Sequence, residues 1–238
     1  MPAQFKIESG FASETGLRSR NEDFGAVSAP EGKRGIVAAI ADGIGGAPGG
    51  REAAELAVRT FIDIYAGTSS NRSLAEAAQA AIAAANARIL DTGTADRRLA
   101  GMGTTFSALI IEGNEALSVH IGDSRIYRLR EGALSRLTED HNLHEEGFPH
   151  ILTRSLGTKD KAWPDIEAQD IRRLDRILLC TDGVTGVLSD AQIAGILRSH
   201  PVPATAAKRL AEAALAAGGT DNATALVLDV ALDAAAAS

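Results

Sequence analysis

Arg34-Gly35-Ile36-Val37-Ala38-Ala39-Ile40-Ala41-Asp42-Gly43 is an apolar run that stops at a carboxylate and a glycine. Such a run reads as a buried strand, which places Asp42 at the strand's end. The arrangement recurs along the chain. Arg176 to Thr181 leads into Asp182-Gly183, Asp221-Asn222 leads into Ala223 to Val230, and Asn21-Glu22-Asp23 opens the segment running to Ala29. Strand ends carrying carboxylates suit hard divalent cations such as Mg²⁺ and Mn²⁺, which take oxygen ligands in octahedral geometry. A fold that gathers these four ends makes a metal site. One that scatters them leaves four ordinary turns, because Asp-Gly and Asx pairs are also turn chemistry.

Around these ends, Phe5 to Ala12 and Asp23 to Ala29 read as strands, followed by a turn at Pro30-Glu31-Gly32. The glycine-rich stretch Gly43 to Gly50 opens a helix over Arg51 to Tyr65, with Ala53, Leu56, Ala57 and Phe61 on its core face. An Ala-rich helix follows over Leu74 to Leu90. Strands are expected over Thr104 to Ile111, Ala116 to Ile121 and Arg125 to Arg130, joined as antiparallel hairpins by Glu112-Gly113-Asn114 and Gly122-Asp123-Ser124. Trp163 to Ile171 and Arg176 to Thr181 continue the pattern, then helices over Asp190 to Arg198 and Ala204 to Ala217, and a last strand over Ala223 to Val230. This order lacks regular βαβ alternation, which disfavours a doubly wound parallel sheet. It fits an α+β chain with two packed antiparallel sheets and helix pairs outside. One domain over residues 1–233 is expected, with a frayed tail over 234–238.

Composition narrows the function. The chain has 238 residues, 45% of them hydrophobic, enough for a large core. Net charge is -7 and the basic residues are scattered, which argues against nucleic acid as a partner. The one cysteine, Cys180, lies inside an apolar run beside Asp182, so it reads as a buried small hydrophobe; a neighbouring carboxylate disfavours a thiolate. Residues Met1 to Lys6 carry no signal-peptide core, and no stretch approaches the ~20 apolar residues needed to span a bilayer. A cytoplasmic protein without a membrane partner is expected. Gly43 to Gly50 is followed by no Gly-Lys-Ser/Thr, so it does not read as a nucleotide-phosphate loop.

The motifs, in order, are Thr15-Gly16-Leu17-Arg18-Ser19-Arg20-Asn21-Glu22-Asp23, Ala41-Asp42-Gly43-Ile44-Gly45-Gly46 and Gly103-Thr104-Thr105. Gly122-Asp123-Ser124-Arg125-Ile126-Tyr127, Leu137-Thr138-Glu139-Asp140-His141 and Leu152-Thr153-Arg154-Ser155-Leu156-Gly157 follow. Thr181-Asp182-Gly183 and Thr220-Asp221-Asn222-Ala223-Thr224 close the series. Singly these are unspecific. Together, in this order, they resemble the metal-dependent protein serine/threonine phosphatases of the PPM, or type 2C, family in their bacterial form.

The resemblance implies a four-layer α-β-β-α sandwich with a two-metal centre at one end of the sheets. It implies Asp23, Asp42, Asp182 and Asp221 as ligands of two Mn²⁺ or Mg²⁺ ions, with the Gly43 carbonyl contributing and Glu22 acting through bound water. Asp123 matches a residue linked to a third, weaker metal site, and Arg18 matches the phosphate-binding arginine. The implied reaction is hydrolysis of phosphoserine and phosphothreonine in phosphorylated proteins, reversing a Ser/Thr kinase. Two cations about 3.5–4 Å apart can neutralise a phosphomonoester and acidify a bridging water, and the hydroxide attacks phosphorus in line. Arg18 adds a bidentate fork that Lys could not reproduce. The alternative is an inactive relative that binds phosphoproteins as a regulatory module; a missing metal carboxylate would mark it, and none is missing.

Two departures stand out. Ile44 occupies the place where some members carry a histidine able to protonate the leaving group, so water must supply that proton. The segment Asn142 to Leu152, where bacterial members usually carry a mobile flap, is short and interrupted by Gly147 and Pro149, which predicts a tight loop with Phe148 packed against the body. His141 follows Asp140 but has no nucleophile placed beside it by any motif, so it reads as structural.

Overall fold

The computed structural model describes residues 5–28, 34–45, 49–143, 151–158 and 162–232. The turn expected at Pro30-Glu31-Gly32, residues 46–48 of the glycine-rich stretch, Phe148 with most of its loop, and the tail from Ala234 lie outside them.

Two antiparallel sheets of five strands each form the centre of the fold. The first runs in the order β1 (Phe5–Glu14), β10 (Ala223–Leu232), β9 (Arg176–Cys180), β6 (Arg125–Arg130) and β7 (Ala133–Arg136). The second runs β2 (Asp23–Val27), β3 (Ile36–Asp42), β4 (Phe106–Glu112), β5 (Glu115–Ile121) and β8 (Asp165–Ala168). Successive side chains of a strand point to opposite faces, and here both faces are dry. Ala38 and Ile40 of β3, Leu109 and Ile111 of β4, Ile177 and Leu179 of β9, and Leu226 and Leu228 of β10 fill the space between the sheets. Their alternates point outward under helices. Val37, Ala39, Ala41, Phe106 and Ala108 meet α1 (Gly50–Gly67) and α2 (Leu74–Ala95). Leu178, Cys180, Ala223, Ala225 and Val227 meet α4 (Asp190–Ser199) and α5 (Pro203–Ala216). The result is the four-layer α-β-β-α sandwich. Double burial also explains why these antiparallel strands read as continuous apolar runs and show no polar alternation.

Local chemistry sets the helix ends. Ser73 with Glu76 starts α2 and Ser189 with Gln192 starts α4 as capping boxes, and Pro203 opens α5. At the start of β9, Arg176 pairs with Asp229 and donates to the Leu197, His200 and Pro201 carbonyls, satisfying the C-terminal end of α4. Among the described residues no helix is long and apolar enough to cross a membrane.

One sequence expectation is corrected. Glu112-Gly113-Asn114 does turn the β4–β5 hairpin, but Gly122-Asp123-Ser124 joins no hairpin. β5 pairs with β4 and β8, β6 pairs with β7 and β9, and the turn carries the chain from one sheet to the other. Gly122 adopts φ 112 there, with its Cα so near Thr105 that an added Cβ would stand 2.6 Å from that side chain. Three short elements went unread in the sequence: β7, a single-turn helix and the 3₁₀ turn Arg97–Leu99. β7 returns from β6 through Glu131 and Gly132, both at positive φ, a two-residue turn whose first position is a glutamate and so carries no Asn-Gly signal. The single-turn helix α3 (Asp182–Thr185) follows Thr181 directly.

α5 packs tightly on β1 at Gly10, where an added Cβ would lie 2.0 Å from the Ala204 main-chain nitrogen at the start of α5. Gly10→Ala should therefore force α5 away from β1 and lower stability by about 1–3 kcal/mol or more. Urea unfolding checks this; a midpoint equal to wild type would show that the layers are not packed this tightly.

Candidate active site

The sheet register brings the acidic strand ends to one place. β2 begins at Asp23 and β3 ends at Asp42, and these two residues are direct partners across the ladder. β9 ends just before Thr181-Asp182, and β10 starts just after Asp221-Asn222. A cavity of about 700 Å³ opens here, and its wall includes Arg18, Glu22, Asp42, Gly43, Asp123, Asp182 and Asp221. Asp23 lies beneath that wall, 1% exposed. All eight residues singled out in the sequence thus stand at the cavity or directly under it.

Three of the carboxylates, those of Asp23, Asp123 and Asp221, and the main chain of Asp42 are held by neighbours. The Thr181 hydroxyl donates to Asp23 Oδ2 at 2.9 Å and accepts from the Thr224 N–H at 3.1 Å. Asn21 accepts from the Asp23 N–H and donates to Ser13 Oγ, which in turn bonds the Thr224 hydroxyl at 2.7 Å. Arg51 of α1 donates to the Asp23 carbonyl while its guanidinium lies 4.9 Å from the Phe24 ring centroid. The main chain of Asp42 is clamped by Thr104 and Thr105: Asp42 N–H donates to Thr105 Oγ1 at 3.0 Å, and its carbonyl accepts from Thr105 N–H and Thr104 Oγ1. Asp123 sits on the sheet crossing and accepts from Asn142 Nδ2 at 3.4 Å. Asp221 is engaged by Arg18, whose Nη2 donates to Oδ2 at 2.7 Å.

Crowded, buried carboxylates resist ionisation. Burial, followed by the charges of Asp182 and Asp221 against two hydroxyl hydrogen bonds, pushes Asp23 up to about 7. Burial and then Asp23 hold Asp42 well above the ordinary carboxylate range. Burial and then Asp182 raise Asp123 to about 6. Glu22 is raised by burial against the pull of Arg18. Perturbed acids gathered in one cavity mark a functional site.

Among the described residues, no three acidic, histidine or cysteine side chains are already closed into a cation cage. Asp221 pairs with Arg18 at 2.7 Å. The donor set nevertheless fits hard cations: the carboxylates supply only oxygen, and Asp23 Oδ1 is buried with no hydrogen-bond partner. His141 stands outside this set. Its Nδ1 accepts from Gly122 N–H at 3.1 Å, so Nε2 carries the proton and donates to Asp165 at 2.9 Å. That pins the sheet crossing, a structural task. Cys180 is fully buried under the helices, and burial drives its thiol far above its ordinary range.

Residues 15–218 match the family described as protein phosphatase 2C. The chain belongs to that family. The serine/threonine phosphatase Stp of Listeria innocua is 32% identical over 96% of this chain and 96% of its own length. The serine/threonine protein phosphatase PstP of Mycobacterium tuberculosis is 36% identical over 92% of this chain, which spans only 44% of the PstP length. A crystal structure of the PstP catalytic domain with two manganese ions is similar to this fold at a TM-score of 0.79 and 34% identity, covering 96% of this chain and 100% of that one.

Sequence reasoning left unread how this type 2C site is supported. Thr104, Thr105, Thr181 and Asn222 all sat inside quoted motifs, yet their roles depend on partners 43 to 207 residues away. Nor did Arg18 announce its pairing with Asp221, 203 residues distant.

The Asp23 shift has a measurable consequence. Its native pKa of about 7 lies above the ordinary 3.8, so between these values the native state holds more protons than the unfolded chain. Stability of the metal-free protein through this group therefore falls as pH rises across that window. Relative to Asp23→Asn, which lacks the titration, wild type should lose urea stability from pH 5 to 8, and Mn²⁺ should restore it by binding the native state. A metal-free wild type that instead gained stability over Asp23→Asn as pH rose would contradict the burial described here.

Proposed function

We propose that this metal-dependent protein serine/threonine phosphatase hydrolyses phosphoserine and phosphothreonine in proteins, with Asp23, Asp42, Asp182 and Asp221 holding two Mn²⁺ or Mg²⁺ ions. Gly43 contributes its carbonyl, Glu22 acts through bound water, and Asp123 serves a third, weaker ion. The observation that carries this reading is the convergence of an oxygen-only donor set and one exposed guanidinium, Arg18, on a single open cavity. Bound cations of this kind neutralise a phosphomonoester dianion and acidify an attacking water.

Arg18 binds the phosphate oxygens. Its present partner costs little to exchange: the Arg18 and Asp221 side chains are 50% and 38% exposed, and exposed pairs of this sort are worth about 0–1 kcal/mol. Thr181, Thr104 and Thr105 keep Asp23 and Asp42 in place without offering a competing nucleophile. Ile44 lines the cavity and has no proton to give, so the departing alkoxide is protonated by water. The described ends of the short segment pair with each other, Asn142 bridging Leu152 and Leu143 N–H donating to the Ile151 carbonyl, and the reading includes weak sequence preference among phosphopeptides. The reading further takes residues 1–233 as one catalytic domain, phosphoproteins of a cognate Ser/Thr kinase pathway as substrates, and the cytoplasm as the setting; the single, buried Cys180 is compatible with a reducing compartment. No observation favours the inactive phosphoprotein-binding alternative.

Hydrolysis of p-nitrophenyl phosphate and of a phosphothreonine peptide should stop with EDTA and return with Mn²⁺ or Mg²⁺. Zn²⁺ should serve poorly, since the proposed ligands include neither histidine nor thiolate. Asp182→Asn or Asp42→Asn should lower kcat by roughly a hundredfold or more. Arg18→Ala should raise KM more than it lowers kcat, and Cys180→Ser should keep catalysis intact. Undiminished turnover after complete metal removal, or loss of turnover in folded Cys180→Ser, would sink the reading.

A further inference from the structure

We infer that Asn222 is a positioning residue: its side chain locks the loop carrying Arg18, Glu22 and Asp23 onto Asp221, so that phosphate binding and the acidic cluster are set by one buried amide. The inference rests on the proposed function for its kinetic consequences, while its structural core stands on hydrogen bonds alone. Asn222 is only 5% exposed. Its Nδ2 donates both hydrogens, to the Thr15 carbonyl at 2.7 Å and the Arg20 carbonyl at 3.0 Å. Its Oδ1 accepts from the Glu22 N–H at 2.8 Å, and its own N–H donates to Asp221 Oδ1 at 2.8 Å.

The three side-chain bonds all go to the main chain of residues 15–22, on either side of Arg18. They read the amide in one orientation only: two carbonyls need donors and one N–H needs an acceptor, a demand that Asn meets and that neither Asp nor a hydroxyl can. The backbone packs to match. Gly16, at φ 62, lies so close to the Asp221 carbonyl that an added Cβ would stand 2.3 Å from it. On the other side, a Cβ on Gly183 would stand 1.9 Å from the Asn222 carbonyl, so the residue after Asp182 is wedged against the same point. Two of the other three carboxylate-bearing segments, those of Glu22 and Asp182, therefore touch Asn222. Between these anchors Leu17, Arg18, Ser19 and Arg20 are exposed. Arg18 stands at the cavity wall between these anchors.

Removing the amide frees the loop. Asn222→Asp keeps the shape and turns two donors into acceptors facing carbonyls; Asn222→Ala deletes all three bonds. The test uses the full chain. Limited trypsin digestion, with cleavage after Arg18 and Arg20 mapped by mass spectrometry, should show cleavage in this loop rising about tenfold or more in both variants. Cleavage elsewhere should follow global stability, for which Gly10→Ala serves as a destabilised control. In kinetics on p-nitrophenyl phosphate at saturating Mn²⁺, Asn222→Ala should raise KM, and adding Arg18→Ala should then change KM by no more than about twofold, because the arginine is already misplaced.

Loop cleavage no faster than in the Gly10→Ala control would overturn the inference. Full Arg18→Ala effects in the Asn222→Ala background would do the same. If the protein hydrolysed no phosphoester at all, the proposed function would fall while the digestion still decided the role of Asn222.

Discussion

Two carboxylates face each other across a β-ladder in this protein, and much of the surrounding structure serves to keep them there. Asp23 and Asp42 are cross-strand partners in β2 and β3, one of them fully buried. Like charges directly opposite on a ladder destabilise it, and burial adds to the cost. The fold offsets this with main-chain bonds and hydroxyl donors. Thr104 and Thr105 hold the end of β3, Thr181 reaches across from the other sheet to Asp23, and Arg51 ties α1 to the Asp23 carbonyl. The cost falls at one end of the sandwich, where burial and neighbouring carboxylates raise the pKa of Asp23 and Asp42.

The sandwich can bear that load because its central strands are buried on both faces. Each central strand alternates between the inter-sheet layer and a helix layer, with alanine at many of the helix-facing positions. Small side chains there bring the helices close to the sheets, and at Gly10 a helix start rests on strand backbone. Rigid layers fix where the strands stop, and strand ends are what the site is made of.

Chain connectivity then shapes the cavity. The turn after β5 changes sheets, which lifts Asp123 onto the cavity wall, where a hairpin would have left it on one sheet's edge. His141 secures that crossing through Gly122 and Asp165. Asn222 does the equivalent on the opposite side for the loop that carries Arg18. These residues touch no reacting group, yet they set the distances among those that would.

The sequence by itself determined the layers and the list of acids. Apolar runs as long as Ile36 to Ala41 or Arg176 to Thr181 can hide only inside a doubly covered sheet, and each ended at a carboxylate whose type is legible without coordinates. The order of strands and helices disfavoured a doubly wound parallel sheet, and the motif series carried the resemblance to the family. Tertiary structure alone decided which strand neighbours which, because pairing depends on partners far along the chain. It showed that Gly122-Asp123-Ser124 crosses between sheets, that Asp23 lies under the cavity wall, and that Arg18 rests on Asp221. A hydroxyl or an amide in a motif looks the same in sequence whether it caps a turn or reaches a residue 200 positions away. Only the folded distance tells Thr181 and Asn222 apart from ordinary turn residues.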